Sequence, residues 1–168
     1  MFAGALSVIS RNFRRAEDWP RIKVMLAEAI SGVLLKYFRT IKYIALADLS
    51  GGECGGPGDR GLDMDMLFLV DSPAEAFALI QLEEVVDSAV KEALVYTLSH
   101  EKFKMLVSRY KRGIEHNIVE FHVNYPYSRF LVNSSECPPL VIYDSLLRAR
   151  TESPRGEGKP RTGYPNEP

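Results

Sequence analysis

The chain has 168 residues, of which 46% are hydrophobic and 26% charged, with a formal net charge of −1. That length and balance suit one globular domain around one sizeable core, and they exclude a whole-chain basic footprint for nucleic acid. No apolar run reaches the ~18–20 residues of a membrane span.

The N-terminal stretch MFAGALSVISRNFRRAEDW carries Arg11, Arg14 and Arg15 after its short apolar segment. A secretory signal has the opposite order, so the expected location is intracellular, in the cytoplasm. Residues 1–16 show no clear period and stand as an uncertain N-terminal segment. From Asp18, a capping residue followed by Pro20, the pattern becomes helical. Ile22, Leu26, Ala29, Ile30, Val33, Leu34 and Tyr37 recur at helical spacing to about Phe38. Lys23, Glu28, Ser31 and Lys36 fall on the other face. IKYIALADL (41–49) reads as a buried strand, and LDMDMLFLV (62–70) as a second, ended by the turn DSP (71–73). A long helix is expected over 74–98, with Phe77, Ile80, Leu82, Val86, Ala89, Val90, Ala93 and Leu94 as its apolar positions. KFKMLVSRY (102–110) and EHNIVEFHVNY (115–125) alternate apolar and polar residues around the turn KRG, and read as a β-hairpin. A continued helix through 102–110 is the competing reading. Pro138 and Pro139 can open a last helix to about Arg148. The tail 151–168 is proline-rich and nearly free of apolar residues, so it is expected to be disordered. The organisation is thus one domain over 17–150 between two uncertain ends. The fold class is α/β (α+β): a small mixed sheet with flanking helices.

The stretch 50–70 carries the chemistry. Between Gly51 and Gly61 the sequence reads GGECGGPGDRG; Asp63 and Asp65 follow at the head of the strand. Side chains alternate along a strand, so both aspartates share a face while Met64, Met66 and Phe68 take the other. Two neighbouring carboxylates repel unless a cation neutralises them, and Mg²⁺ or Mn²⁺ prefers such oxygen donors. A third carboxylate is available if 117–123 is a strand. Glu120 and His122 then share a face, and Val119, Phe121 and Val123 take the core. Glu120 is read as the third ligand and His122 as a residue of the solvated face. Glycines let backbone N–H groups approach phosphate oxygens. The two cysteines, Cys54 and Cys137, match no metal or redox spacing and read as plain thiols.

A helix, an apolar strand, Gly51-Gly52, then Asp63-Met64-Asp65 and later Glu120 resembles the DNA polymerase β-type nucleotidyltransferase superfamily over roughly residues 20–125. The resemblance implies a nucleotidyltransferase-like fold that moves a nucleoside monophosphate from a nucleoside triphosphate to a hydroxyl. It implies a two-metal Mg²⁺ or Mn²⁺ site on Asp63, Asp65 and Glu120, with Gly51 and Gly52 against the nucleotide phosphates. A helical partner protein or an RNA is a partner of the kind that small family members use. Gly52 stands where the family has serine, and Glu53 adds a negative charge beside it. These departures fit an alternative, a catalytically inactive binding or regulatory module of the same fold. A metal-dependent phosphohydrolase or nuclease on the same carboxylates is a third reading.

Overall fold

A computed structural model describes residues 2–47, 61–110, 116–125 and 139–145. The described residues form four α-helices, a short 3-10 turn and a four-stranded mixed sheet. The helices are α1 (Phe2–Asn12), α2 (Trp19–Tyr37), α3 (Pro73–Thr97) and α4 (His100–Tyr110). The strands are β1 (Ile41–Ala47), β2 (Met64–Val70), β3 (Val119–Asn124) and β4 (Leu140–Asp144). The sheet order is β3-β2-β1-β4, with β1 antiparallel to both β2 and β4 and β2 parallel to β3. The parallel pair needs a crossover, which α3 and α4 supply. None of the described helices is long and apolar enough to cross a membrane.

One face of the sheet carries the main core. Ile44, Leu46, Met64, Met66, Phe68, Val119 and Phe121 meet Ile22, Leu26, Ile30 and Leu34 of α2 and Leu79, Val86, Val90 and Leu94 of α3. The Phe68 and Phe121 rings pack against each other, tilted by 60°, with centroids 4.8 Å apart. Tyr43, Ala45, Leu67 and Leu69 alternate onto the opposite face and form a smaller cluster. Asp65 lies in phase with Leu67 and Leu69, and Glu120 and His122 lie out of phase with Val119 and Phe121. The acidic residues therefore belong to the face away from the helices.

Helix α2, strands β1 and β2 and helix α3 form where the hydrophobic periods place them. Elsewhere the structure fills in or departs from the expected pattern. The segment 1–16 contains helix α1, whose Ala5 and Ile9 are buried in the main core. The segment 102–110 is helical and no hairpin forms. Leu106 is buried one turn beyond Phe103, which packs against the core, whereas Met105 is 54% exposed, so the alternating phase is not the one used. β3 pairs instead with β2, in parallel. The expected last helix is, over 140–144, strand β4 on the outer side of β1; proline is tolerated beside a strand start as readily as at a helix start. In α3, Phe77 and Ile80 are exposed and Ala76 and Leu79 take the buried stripe. Asp18 stands at the head of α2, but its carboxylate turns back to accept N–H bonds from Arg14 and Arg15 at 2.9 Å each. These two bonds, Arg15 first, hold its carboxyl below the usual range.

The entry to α3 ties the α2–β1 turn to the domain. Ser72 Oγ accepts the Glu75 N–H, a normal N-cap. The Glu75 carboxylate reaches across to the N–H groups of Arg39 and Thr40 and to the Thr40 hydroxyl, at 3.0, 2.9 and 2.7 Å. Burial by itself pushes this carboxyl up, but the Thr40 and Arg39 hydrogen bonds outweigh it and hold it below the ordinary glutamate value. A depressed folded-state value means stability present above the unfolded value and lost as the pH falls through the folded one. The wild type is therefore expected to be more stable than Glu75→Gln near pH 7, with the gap narrowing as the pH falls through the carboxylate range. Thermal unfolding of both proteins across that range checks it; a gap that widens in acid contradicts it.

Candidate metal centre

The register of the parallel pair builds the site. Asp65 stands directly opposite Glu120, and Leu67 opposite His122. His122 Nε2 lies 3.3 Å from Asp65 Oδ1 and 4.0 Å from Glu120 Oε2. One donor atom from each of Asp65, Glu120 and His122 lies within 4.8 Å of the others. The Asp65 side chain is only 13% exposed, against 38% for His122 and 39% for Glu120. The Asp65 carboxylate is thus the least exposed of three partly buried donors, and Glu120 and His122 are the more solvent-reachable two.

Two residues of α3 hold β3 in this register. The buried Asp87 accepts the N–H groups of Ile118 at 2.7 Å and Val119 at 3.0 Å. Its other oxygen meets Lys91 Nζ at 2.7 Å. Glu83 Oε2 accepts the Phe121 N–H at 2.7 Å. β3 is an edge strand, and these carboxylates occupy the N–H groups that point away from β2, which β2 cannot reach. On the inner side, Met64 N–H donates to Ile118 O at 2.7 Å. Glu120 and His122 are thereby fixed opposite β2.

Asp63 precedes β2 and stands apart from the group of three. It follows Gly61, whose φ of 67° is left-handed, and a Cβ on Gly61 would collide with Asp63 Oδ1. The Asp63 carboxylate therefore folds back over Gly61. The structure brings Asp65 and Glu120 together, with Asp63 as a flanking charge. Gly51 and Gly52 lie outside the described residues, as do both cysteines and the tail.

The electrostatics follow from this crowding. Partial burial is the first cause that pushes the Glu120 carboxyl above its ordinary value, and the charges of Asp65 and Asp63 push it further; His122 pulls it back and Glu83 adds to the rise. A carboxyl whose folded value is raised is destabilising when ionised, fully so above the folded value and not at all below the unfolded one. Glu120→Gln is therefore expected to raise the metal-free melting temperature at neutral pH. The gain should vanish as the pH falls through the carboxylate range. Melting curves at several pH values check this, and a variant less stable than the wild type at neutral pH contradicts it.

His122 lies on the partly solvated face with Glu120, its side chain 38% exposed, and its ring nitrogen completes the group of three. The available signal was its spacing: it lies two residues after Glu120, on the same side of the strand. Lys23, placed by periodicity on the polar face, is buried at 2% exposure, and Ser31 at 1%. No protein-family model, curated protein or solved structure matches the chain.

Proposed function

We propose that the Asp65–Glu120–His122 group holds a divalent cation and that the chain is a metal-dependent nucleotidyltransferase. It would transfer a nucleoside monophosphate from a triphosphate to an acceptor hydroxyl. The observation that supports this most is the register that sets Asp65 against Glu120 on adjacent parallel strands with an imidazole nitrogen in reach. The transferase part rests on the resemblance of Gly51-Gly52, Asp63-Met64-Asp65 and Glu120 to the polymerase β-type pattern. The donor set fits the cation: two carboxylates suit Mg²⁺ or Mn²⁺, and an imidazole tilts the preference to Mn²⁺. A cation there supplies charge neutralisation to an attacking hydroxyl and to the triphosphate. Asp65 would be the least exposed ligand, with Glu120 and His122 as its more exposed partners and Asp63 as a neighbouring charge. The group is the size of one cation site, and the described residues contain no second such group.

A second reading, an inactive module that binds without turnover, is favoured by one observation. His122 already partners Asp65 at 3.3 Å, so the carboxylate is satisfied without catalysis. Incubation with α-phosphate-labelled ATP, Mn²⁺ and mixed protein and RNA acceptors separates the readings. Label fixed on an acceptor with pyrophosphate released supports the transferase. Labelled AMP formed without any acceptor supports the hydrolase. Mn²⁺-dependent binding with no turnover supports the module.

A further inference from the structure

The turn that enters β2 is held from beneath by one helix. Trp19 Nε1 donates to Leu62 O at 3.0 Å, and Lys23 Nζ donates to Gly61 O at 3.2 Å and to Asp63 O at 2.9 Å. Three successive carbonyls are therefore taken by two side chains one helical turn apart on α2. Lys23 is among the largest fully buried side chains of the molecule. Burying an ammonium is costly unless its protons are accepted, and an apolar side chain of similar length would fill the space without that cost. What the lysine adds is direction. It draws the carbonyls on either side of Leu62 toward α2 and so fixes the orientation of the backbone that carries Asp63. Gly61 accommodates the left-handed turn and leaves room for the Asp63 carboxylate above it.

We infer that Lys23 is the positioning residue of the cation site. It anchors the backbone carbonyls of Gly61 and Asp63, where the chain enters β2, and thereby sets the start of the strand that carries Asp65. The inference rests on the reading of that group as a cation site. Lys23 acts through the 61–63 backbone, as the outer residues of a metal site act on its ligands.

The test is titration of the full chain with MnCl₂, with free Mn²⁺ read by electron paramagnetic resonance. Each protein is titrated at a temperature where circular dichroism shows it folded. Lys23→Met is expected to weaken Mn²⁺ affinity by about 10-fold to 100-fold. Lys23→Gln, which keeps an N–H donor, should weaken it less. Leu34→Ala, a cavity in α2 remote from the turn, should lower the melting temperature and leave the affinity unchanged. Wild-type affinity in Lys23→Met, or an equal loss in Leu34→Ala, overturns the inference and leaves the cation reading standing. If Lys23→Met does not fold, Lys23→Gln against Leu34→Ala decides in the same way. A wild type that binds no Mn²⁺ overturns the cation reading and this inference with it.

Discussion

Asp87→Ala is expected to cost about 3–5 kcal/mol of stability, the loss seen when one partner of a buried, hydrogen-bonded ion pair is removed. The carboxylate is buried, accepts two backbone N–H groups at the start of β3 and meets Lys91. Its removal leaves two buried donors and an ammonium to find new partners at once. A loss of that size is a large share of the total of about 5–15 kcal/mol for an ordinary domain. The same change should release β3 from its register, so cation binding should fall with stability. Asp87→Asn keeps an acceptor for the N–H groups and loses only the ion pair, so it should cost clearly less. Denaturant unfolding of the three proteins checks the order. An alanine variant within about 1 kcal/mol of the wild type, the size of an ordinary single hydrogen bond, would show that Asp87 does not hold the strand.

Trp19→Ala carries the second large effect. The indole is 0% exposed in the main core, and its N–H is bonded to Leu62 O. Truncation to alanine should cost about 3–5 kcal/mol, through lost burial and the cavity left behind. Trp19→Phe separates the two contributions. It keeps most of the ring volume but strands the Leu62 carbonyl, so about 1–3 kcal/mol should remain. Because Trp19 is the chain's single tryptophan, unfolding must be followed by circular dichroism. Equal losses in both variants would mean that the carbonyl contact, and not ring burial, dominates.

What the sequence made legible follows from where one physical signal acts alone. Helix α2 and strands β1 and β2 have strong periods that tertiary packing does not contest. Helix α4 is the competing reading of 102–110, because its residues satisfy two periods. Phe103 and Leu106 at helical spacing compete with Phe103, Met105 and Val107 at strand spacing, and only packing chooses. Helix α1 is short and rich in small residues, and it is defined by docking on α2 and α3. Strand β4 depends on β1 as its pairing partner, which no local pattern records. The candidate site divides in the same way. Asp65 and Glu120 were visible from strand alternation as carboxylates facing away from the core. Their pairing required the parallel register, and that register depends on Asp87 and Glu83 of α3. Lys23 and Asp87 were legible in hindsight as charges on buried stripes, with Ala27, Ile30 and Leu34 in phase with the first and Val90 and Leu94 with the second. A charged residue in a core stripe has a backbone to hold, and both of these do.

The measurement closest to the central claim is calorimetric titration of ATP into the protein with Mn²⁺, with Mg²⁺ and with chelator. It is run on the wild type and on Asp65→Asn/Glu120→Gln. The account predicts metal-dependent binding in the wild type, stronger with Mn²⁺ than with Mg²⁺, and its loss in a double variant that remains folded. Binding that is indifferent to metal, or that survives in the double variant, would contradict the assignment of these carboxylates to a cation site.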